Sequence, residues 1–231
     1  MTLQSIDKKL TIFFYIFIFI FLSTINNASL NKSKKELLKI ENIEITGLNE
    51  NQNEKIKKSL EYLIGKNIFF LNRQNIENSL NQIQYIENYK VTKHYPSKVQ
   101  IKLQKTELLA IVYQDNKKLY IGKNRKLISL IDVEKNNNLP IVFGNFSKKE
   151  FFNLKNIIDK SKFDLEQIKE YYYFPSKRWD IKLNNEILVK LPIENINDSI
   201  NILNEVLKEN IRKQNKVVDL RVPNQIIFSN E

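Results

Sequence analysis

Protein chemistry most often rests on a histidine, a cysteine or a close pair of carboxylates, and this chain is poor in all three. Its 231 residues include one histidine, His94, and no cysteine. A lone imidazole beside a hairpin turn supplies neither a nucleophile–base pair nor a metal cluster. The lack of cysteine removes disulfides, thiolate metal sites and a thiol nucleophile. Two carboxylates could serve a glycosidase, and Asp159, Asp164 and Glu166 are the candidates. They sit in or beside a helical, Lys-rich stretch and read as solvated charges. "SIDK", Ser5 to Lys8, has the S-x-x-K spacing of penicillin-binding enzymes, but no S-D-N or K-T-G follows and the match reads as chance. Gly47, Gly65, Gly122 and Gly144 lie far apart, whereas a phosphate cradle needs several glycines in one turn. The triplet Tyr171 to Tyr173 offers stacking surface for sugars or bases, yet reads as strand packing. No catalytic, cofactor-binding or metal-ligating residue is expected, and no small-molecule substrate.

The elements are more informative than the reactive groups. "RWDIKLNNEILVKLP", Arg178 to Pro192, alternates apolar and polar residues on either side of an Asn-Asn turn, which is a hairpin pattern. Upstream, Ile40, Ile43 and Ile45 lead to Gly47 as a strand. Asn49 N-caps a helix that carries Ile56, Leu60, Leu63 and Ile64 on one face and stops at Gly65. A second helix repeats the pattern with Ile76, Leu80 and Ile83. Two strands, "NYKVTKH" and "KVQIKLQ", join through Tyr95-Pro96-Ser97-Lys98. Residues 40–106 thus give strand, helix, helix, strand, strand, a small sheet with two helices on one face. The remainder, 107–231, reads as short strands with two helices among them. One helix opens with the capping box Ser147–Glu150 and carries Phe151, Leu154 and Ile158; the other carries Ile196, Ile200, Leu203 and Leu207. A curved, mainly antiparallel sheet is expected, closing with "KVVDLRV" and "QIIF". The fold class is α+β.

Hydrophobic residues make up 42% of the chain, enough for a core. The net charge of +11 would ordinarily suggest nucleic acid. Here the lysines are scattered among Asn and Ile without an RNP, zinc-finger or clustered-Arg pattern, so no nucleic-acid partner is expected. Residues 10–25, "LTIFFYIFIFIFLSTI", are uncharged and almost wholly apolar. A helix of that length spans ~24 Å, short of a ~30 Å hydrocarbon core. A cleaved signal peptide is the competing reading, but with Ala28 at −1 the −3 position is Asn26, a poor match. The segment is read as a transmembrane anchor after a short tail, 1–9, and before a polar linker, 26–39. Lys8 and Lys9 precede it and Lys32, Lys34 and Lys35 follow, so charge alone leaves its orientation ambiguous; the closer pair favours a cytoplasmic N-terminus.

The order of segments resembles the bacterial FtsQ/DivIB cell-division family. The first module, 40–106, looks like a POTRA domain and the second, 107–231, like the family's β domain. "KHYPSKVQIKL" is similar to the family's basic-aromatic-Pro turn and strand. "LPIVFG", Leu139 to Gly144, matches Leu-Pro-x-x-x-Gly; "WDIKLNNEILVKLP" matches the hairpin ending in Leu-Pro; "VVDLRVPNQIIF" matches the terminal Asp-Leu-Arg strand and its successor. Two departures concern turn geometry. "KTELLA", Lys105 to Ala110, stands where the family has Glu-Arg-x-Pro, and Glu186 stands where glycine ends the hairpin turn.

The resemblance implies a non-enzymatic scaffold without cofactors. It would sit in the inner membrane at the division septum, N-terminus cytoplasmic and bulk periplasmic. It would recruit small coiled-coil partners of the FtsB and FtsL type, and other divisome components through its POTRA domain. Strand addition to an exposed sheet edge is the physical route. The last strand is the expected edge, with Arg221, Val222, Asn224, Gln225, Ile226, Ile227 and Phe228 as partner-binding residues. Alternation places Ile226 and Phe228 on one face and Ile227 on the other. An outer-membrane assembly factor bearing a POTRA domain is the alternative, but it would need a long run of barrel strands after the module.

Overall fold

The structure, a computed structural model, describes residues 8–24, 38–129, 138–161, 163–164, 167–208, 216–223 and 225–230. Glu166 and Asn224, both singled out above, lie outside the described residues, as does Ser5. The chain divides into two compact units, residues 1–79 with 90–102 and residues 80–89 with 103–231.

Helix α1 runs Lys8–Thr24. Its 17 residues reach about 25 Å, and Ile12, Phe13, Phe17, Phe19 and Phe21 are exposed. Among the described residues no helix is long and apolar enough to cross a membrane, so the spanning helix expected over residues 10–25 is not seen as such.

The first module opens with β1 (Asn42–Thr46), whose Ile43 and Ile45 are buried together with the preceding Ile40. Helix α2 (Glu50–Ser59) is N-capped as expected, Asn49 Oδ1 accepting from the Gln52 amide at 2.9 Å. It does not run on to Ile64. It gives way at Leu60 to a 3₁₀ turn, Glu61–Leu63, and the tighter winding keeps Leu60 and Leu63 inside while turning Ile64 out to 45% exposure. Helix α3 (Arg73–Leu80) buries Ile76 and Leu80; Ile83, expected on the same face, lies past its end. Strands β2 (Ile86–His94) and β3 (Lys98–Lys105) follow, and β1 pairs parallel to β3 in a sheet of order β1-β3-β2. A parallel neighbour requires a long crossover between strands, and the two helices supply it.

Among the described residues the second module is one nine-stranded sheet. Its strands are β4 (Leu108–Gln114), β5 (Lys117–Gly122), β6 (Leu127–Ser129), β7 (Ile141–Phe143), β8 (Ile168–Tyr173), β9 (Trp179–Leu183), β10 (Leu188–Lys190), β11 (Val217–Asp219) and β12 (Ile227–Ser229). They lie in the order β12-β11-β10-β9-β8-β7-β4-β5-β6. Antiparallel pairs prevail, but β4–β7, β7–β8 and β10–β11 are parallel. The last two are crossovers through helices α4 (Lys148–Lys160) and α5 (Ile196–Lys208), which return the chain in its original direction.

Both helices feed one core. Phe151, Leu154 and Ile158 of α4 and Ile200 and Leu203 of α5 join Tyr171, Trp179, Ile181, Leu183 and Val189 of the sheet. The Ser147–Glu150 capping box is formed as the sequence predicts. Trp179 centres an aromatic cluster, with ring centroids of Tyr173 at 4.7 Å and Phe146 at 5.7 Å. Within the tyrosine triplet Tyr171 is buried, Tyr172 stacks on Phe143, and the Tyr173 hydroxyl donates to Glu150. Strand β7 ends at Gly144, whose φ of +103° and closeness to β8 leave no room for a side chain: a Cβ there would lie 2.2 Å from the Tyr173 carbonyl oxygen.

Candidate functional site

The residues expected to act are at the end of the large sheet that β12 closes. Three short strands build it. The β9–β10 hairpin comes first, its turn ending on Glu186 at a φ of +67°. A left-handed backbone disfavours any side chain but glycine's absence of one. Glu186 holds the position with two ion pairs, to Lys169 at 2.5 Å and Lys182 at 2.6 Å, which draw its carboxyl down to about 2.

Helix α5 then carries the chain over the sheet and lays β11 parallel to β10, in the register Leu188↔Val217, Val189↔Val218 and Lys190↔Asp219. Val217 and Val218 are buried, so this strand is fixed by packing on both of its faces. Strand β12 doubles back on β11 with Val218 opposite Phe228 and Asp219 opposite Ile227. No described strand lies beyond it.

The side chains divide as alternation requires. Ile226 and Phe228 are half-buried and pack against the core, while Ile227 is 46% exposed on the other face. Of the expected partner-binding residues, Val222 and Gln225 are exposed in the β11–β12 connection. Arg221 is held by Asp219: its Nε donates to the two carboxylate oxygens at 2.8 and 3.0 Å, and its Nη2 to Oδ2 at 2.5 Å. These bonds hold the Asp219 carboxyl below the usual range. A surface pocket of ≈ 390 Å³ opens between the start of α5 and the β11–β12 connection, its lining including Asp198, Ile202, Arg221, Gln225 and Ile226.

The strand registers reveal a feature that the sequence reading missed. On the face that bears Ile227, cross-strand partners run Phe143, Tyr172, Asp180, Lys190, Asp219, Ile227. Alternation assigned Asp180 to a polar, outward position, but it is 2% exposed. Arg178 covers it, donating from Nε at 3.0 Å and Nη2 at 3.4 Å, and rests its own guanidinium over the Phe174 ring at 4.5 Å. Burial pushes the Asp180 carboxyl up, against the pull of Arg178. A row of apolar, acidic, basic, acidic and aromatic side chains therefore leads inward from the edge. Register alone brings these residues together, and register is not written in any one strand.

The groups considered for chemistry do not converge. Asp159 is paired with Lys155 at 2.5 Å, Asp164 is exposed, and His94 is exposed beside Gln100. Among the described residues no group of three or more His, Cys, Asp or Glu side chains is placed to hold a metal ion.

The POTRA domain, FtsQ-type, matches residues 38–105, and the C-terminal domain of cell division protein FtsQ/DivIB matches residues 110–221. Cell division protein FtsQ of Rickettsia bellii is 29% identical over 189 residues, covering 81% of this chain and 70% of that one. FtsQ of Rhizobium radiobacter is 24% identical over 143 residues, 61% of this chain and 68% of its own. Cell division protein DivIB of Clostridium botulinum is 38% identical over 85 residues, 37% and 33% of the two chains. The C-terminal match stops at Arg221, so Val222 to Phe228 lie beyond it. With a POTRA domain and an FtsQ/DivIB C-terminal domain in succession, and relatives of the same kind in several bacteria, the chain belongs to the FtsQ/DivIB family of cell-division proteins.

Proposed function

We propose that the protein is a non-enzymatic scaffold of the division machinery that recruits small coiled-coil division proteins, of the FtsB and FtsL type, by strand addition at β12. The observation that carries this is the position of β12 at an end of the nine-stranded sheet. An added strand gains main-chain hydrogen bonds at such an edge, and side-chain neighbours give it specificity. Ile227 on the outer face, the Asp219–Arg221 pair and the pocket beside the β11–β12 connection are the neighbours available. On this reading Arg221, Val222, Asn224, Gln225, Ile226, Ile227 and Phe228 form the contact, with Ile226 and Phe228 acting from the core side to hold the strand in place.

The apolar segment that includes α1 serves as the anchor in the inner membrane. Seventeen residues are at the lower limit for a spanning helix, and a short helix is accommodated by local thinning and by lysines reaching for the interface. Both modules then lie on the periplasmic side, at the septum, where the POTRA domain meets other division components.

The test is calorimetric titration of the full chain in nanodiscs with a peptide spanning the extracytoplasmic segment of its FtsB-like partner. Ile227→Asp leaves the core untouched and should lower affinity at least about tenfold, the scale of a well-placed interface residue. Unchanged affinity in that variant would remove β12 as the contact.

A further inference from the structure

We propose that the POTRA module rests against the bilayer itself, through the aromatic tips Phe69–Phe70 and Tyr95. Phe69 and Phe70 are 65% and 77% exposed, and their rings meet edge to face at 5.6 Å. Adjacent phenylalanines this exposed, on a loop between two helices, add little to the module's core, and exposed apolar clusters mark contact surfaces. Tyr95, in the turn between β2 and β3, is 58% exposed, and Ile64 is 45% exposed.

Their position in the fold identifies the occupant. Residues 38–42 are where the chain enters the module after α1 and the residues that follow it, and the segments adjoining both tips are hydrogen-bonded to that stretch. The Ile68 amide donates to the Leu38 carbonyl at 2.8 Å, Ile40 to Lys66 at 2.8 Å, and Gly65 to Ile40 at 2.8 Å. Lys39 bridges Asn67 in antiparallel fashion. On the other side, Glu41 and Asn42 both donate to the Ser97 carbonyl, two residues from Tyr95. Residues 25–37 extended reach at most about 45 Å. The end of the module nearest its tether is therefore the end that carries the aromatic rings.

The composition fits an interface between hydrocarbon and water. Lys39, which bridges Asn67, and Lys66 are exposed on the segments that adjoin the Phe69–Phe70 tip, and Lys93 Nζ donates to the Phe69 carbonyl at 3.3 Å. Lys66 also lies over the Tyr62 ring at 4.8 Å. Glu41 and Glu61 are the carboxylates on the same segments, so the excess of positive charge is small. Aromatic insertion at headgroup depth leads, and attraction to anionic lipid adds to it. Contact of this kind would fix the orientation of the module over the membrane instead of leaving it to swing on its tether.

This inference rests on the anchor reading above, and the experiment separates the two. The chain has no cysteine, so a single introduced thiol carries the only label. Full-length Phe70→Cys, Phe17→Cys and Tyr113→Cys variants are labelled with an environment-sensitive fluorophore. Each is reconstituted into vesicles of phosphatidylcholine and phosphatidylglycerol containing spin-labelled lipid. Phe17 reports the anchor and Tyr113, exposed in the other unit, reports solvent. The label at 70 should be quenched at least about twofold more by lipid spin-labelled near the headgroup than by lipid labelled at the chain end, as for groups buried ~5–10 Å at the interface. Adding Phe69→Ser should weaken that quenching. If Phe17 is quenched and position 70 matches Tyr113, the inference fails and the anchor stands. If neither is quenched, both fail. A blue shift at 70 without lipid quenching means that protein covers the patch, and also overturns the inference.

Discussion

Gly144→Ala should be the most damaging single-methyl change in the β domain. The backbone there has a φ of +103°, which costs a side chain about 1–2 kcal/mol. The added Cβ would also lie 2.2 Å from the Tyr173 carbonyl oxygen and 3.0 Å from its carbon. Those atoms belong to β8, which is paired on both sides, so the neighbour cannot rotate away and the strands must part. Overpacking of that kind costs about 1–3 kcal/mol. Together the two effects give about 2–5 kcal/mol, or roughly 5–20 °C in Tm for a unit of this size. Gly122→Ala is the comparison. Its Cβ would meet Asn124 Oδ1 at 2.7 Å, Ile128 Cδ1 at 2.8 Å and Thr106 Cγ2 at 3.0 Å, side-chain atoms and not backbone, and its φ is not in the left-handed range. It should cost about 1 kcal/mol, toward the low end of overpacking. The assay is thermal unfolding followed by Trp179 fluorescence, the only tryptophan, with its ring 4.7 Å from that of Tyr173. A Gly144→Ala melting point within about 2 °C of the parent, less than ~1 kcal/mol would produce, would refute the reasoning. So would an equal loss in Gly122→Ala.

Two further outcomes concern charge. Asp180 has its carboxyl pushed up by burial, so the folded state holds the proton more tightly than the unfolded one. Its contribution to stability therefore falls as pH rises from the unfolded value near ~3.9 through the raised native one. Subtracting the denaturation profile of Asp180→Asn from that of the parent should show this negative slope just above pH ~4. Glu150, Glu186 and Asp219 are shifted down and contribute the opposite slope below it; a flat difference profile would remove the buried-carboxylate account. At the hairpin turn, Glu186→Ala and Glu186→Gly both lose the ion pairs to Lys169 and Lys182, but only glycine relieves the left-handed backbone. The glycine variant should melt higher than the alanine variant, and the reverse order would mean that the turn changes conformation when the pairs are gone.

How much of this was legible in the sequence depended on the range of the signal. Local signals translated directly: the Asn49 cap, the Ser147–Glu150 capping box, and the inward faces Phe151, Leu154 and Ile158 or Trp179, Ile181 and Leu183. Helix ends were less clear, because Ile64 and Ile83 continue an apolar period past the last helical turn and only backbone geometry stops it. Parallel pairing of β7 with β8 and β10 with β11 depends on where two helices return the chain, which no strand announces. The burial of Asp180 was hidden for a related reason. A charge at an outward position reads as solvated until the neighbours that cover it are known: Arg178 is two residues away, but Lys190 becomes a neighbour only through register. For the proposed partner-binding residues, alternation gave the division of Ile226 and Phe228 from Ile227, while the pairing of Arg221 with Asp219 was seen only in the structure.

The crossover through α5 has a consequence for timing. Strand β11 meets β10 only after α5 has closed a loop of some twenty-five residues, and non-local parallel pairs of this kind form late because the loop entropy comes first. Strand β12 in turn needs β11 as its template. The sheet end is expected to be the last part of the domain to mature, with the slowest gain of amide protection in pulse-labelled hydrogen exchange. A nascent or damaged chain would then present a folded POTRA module before it presents a usable edge, and competence to recruit would report on completion of the whole domain.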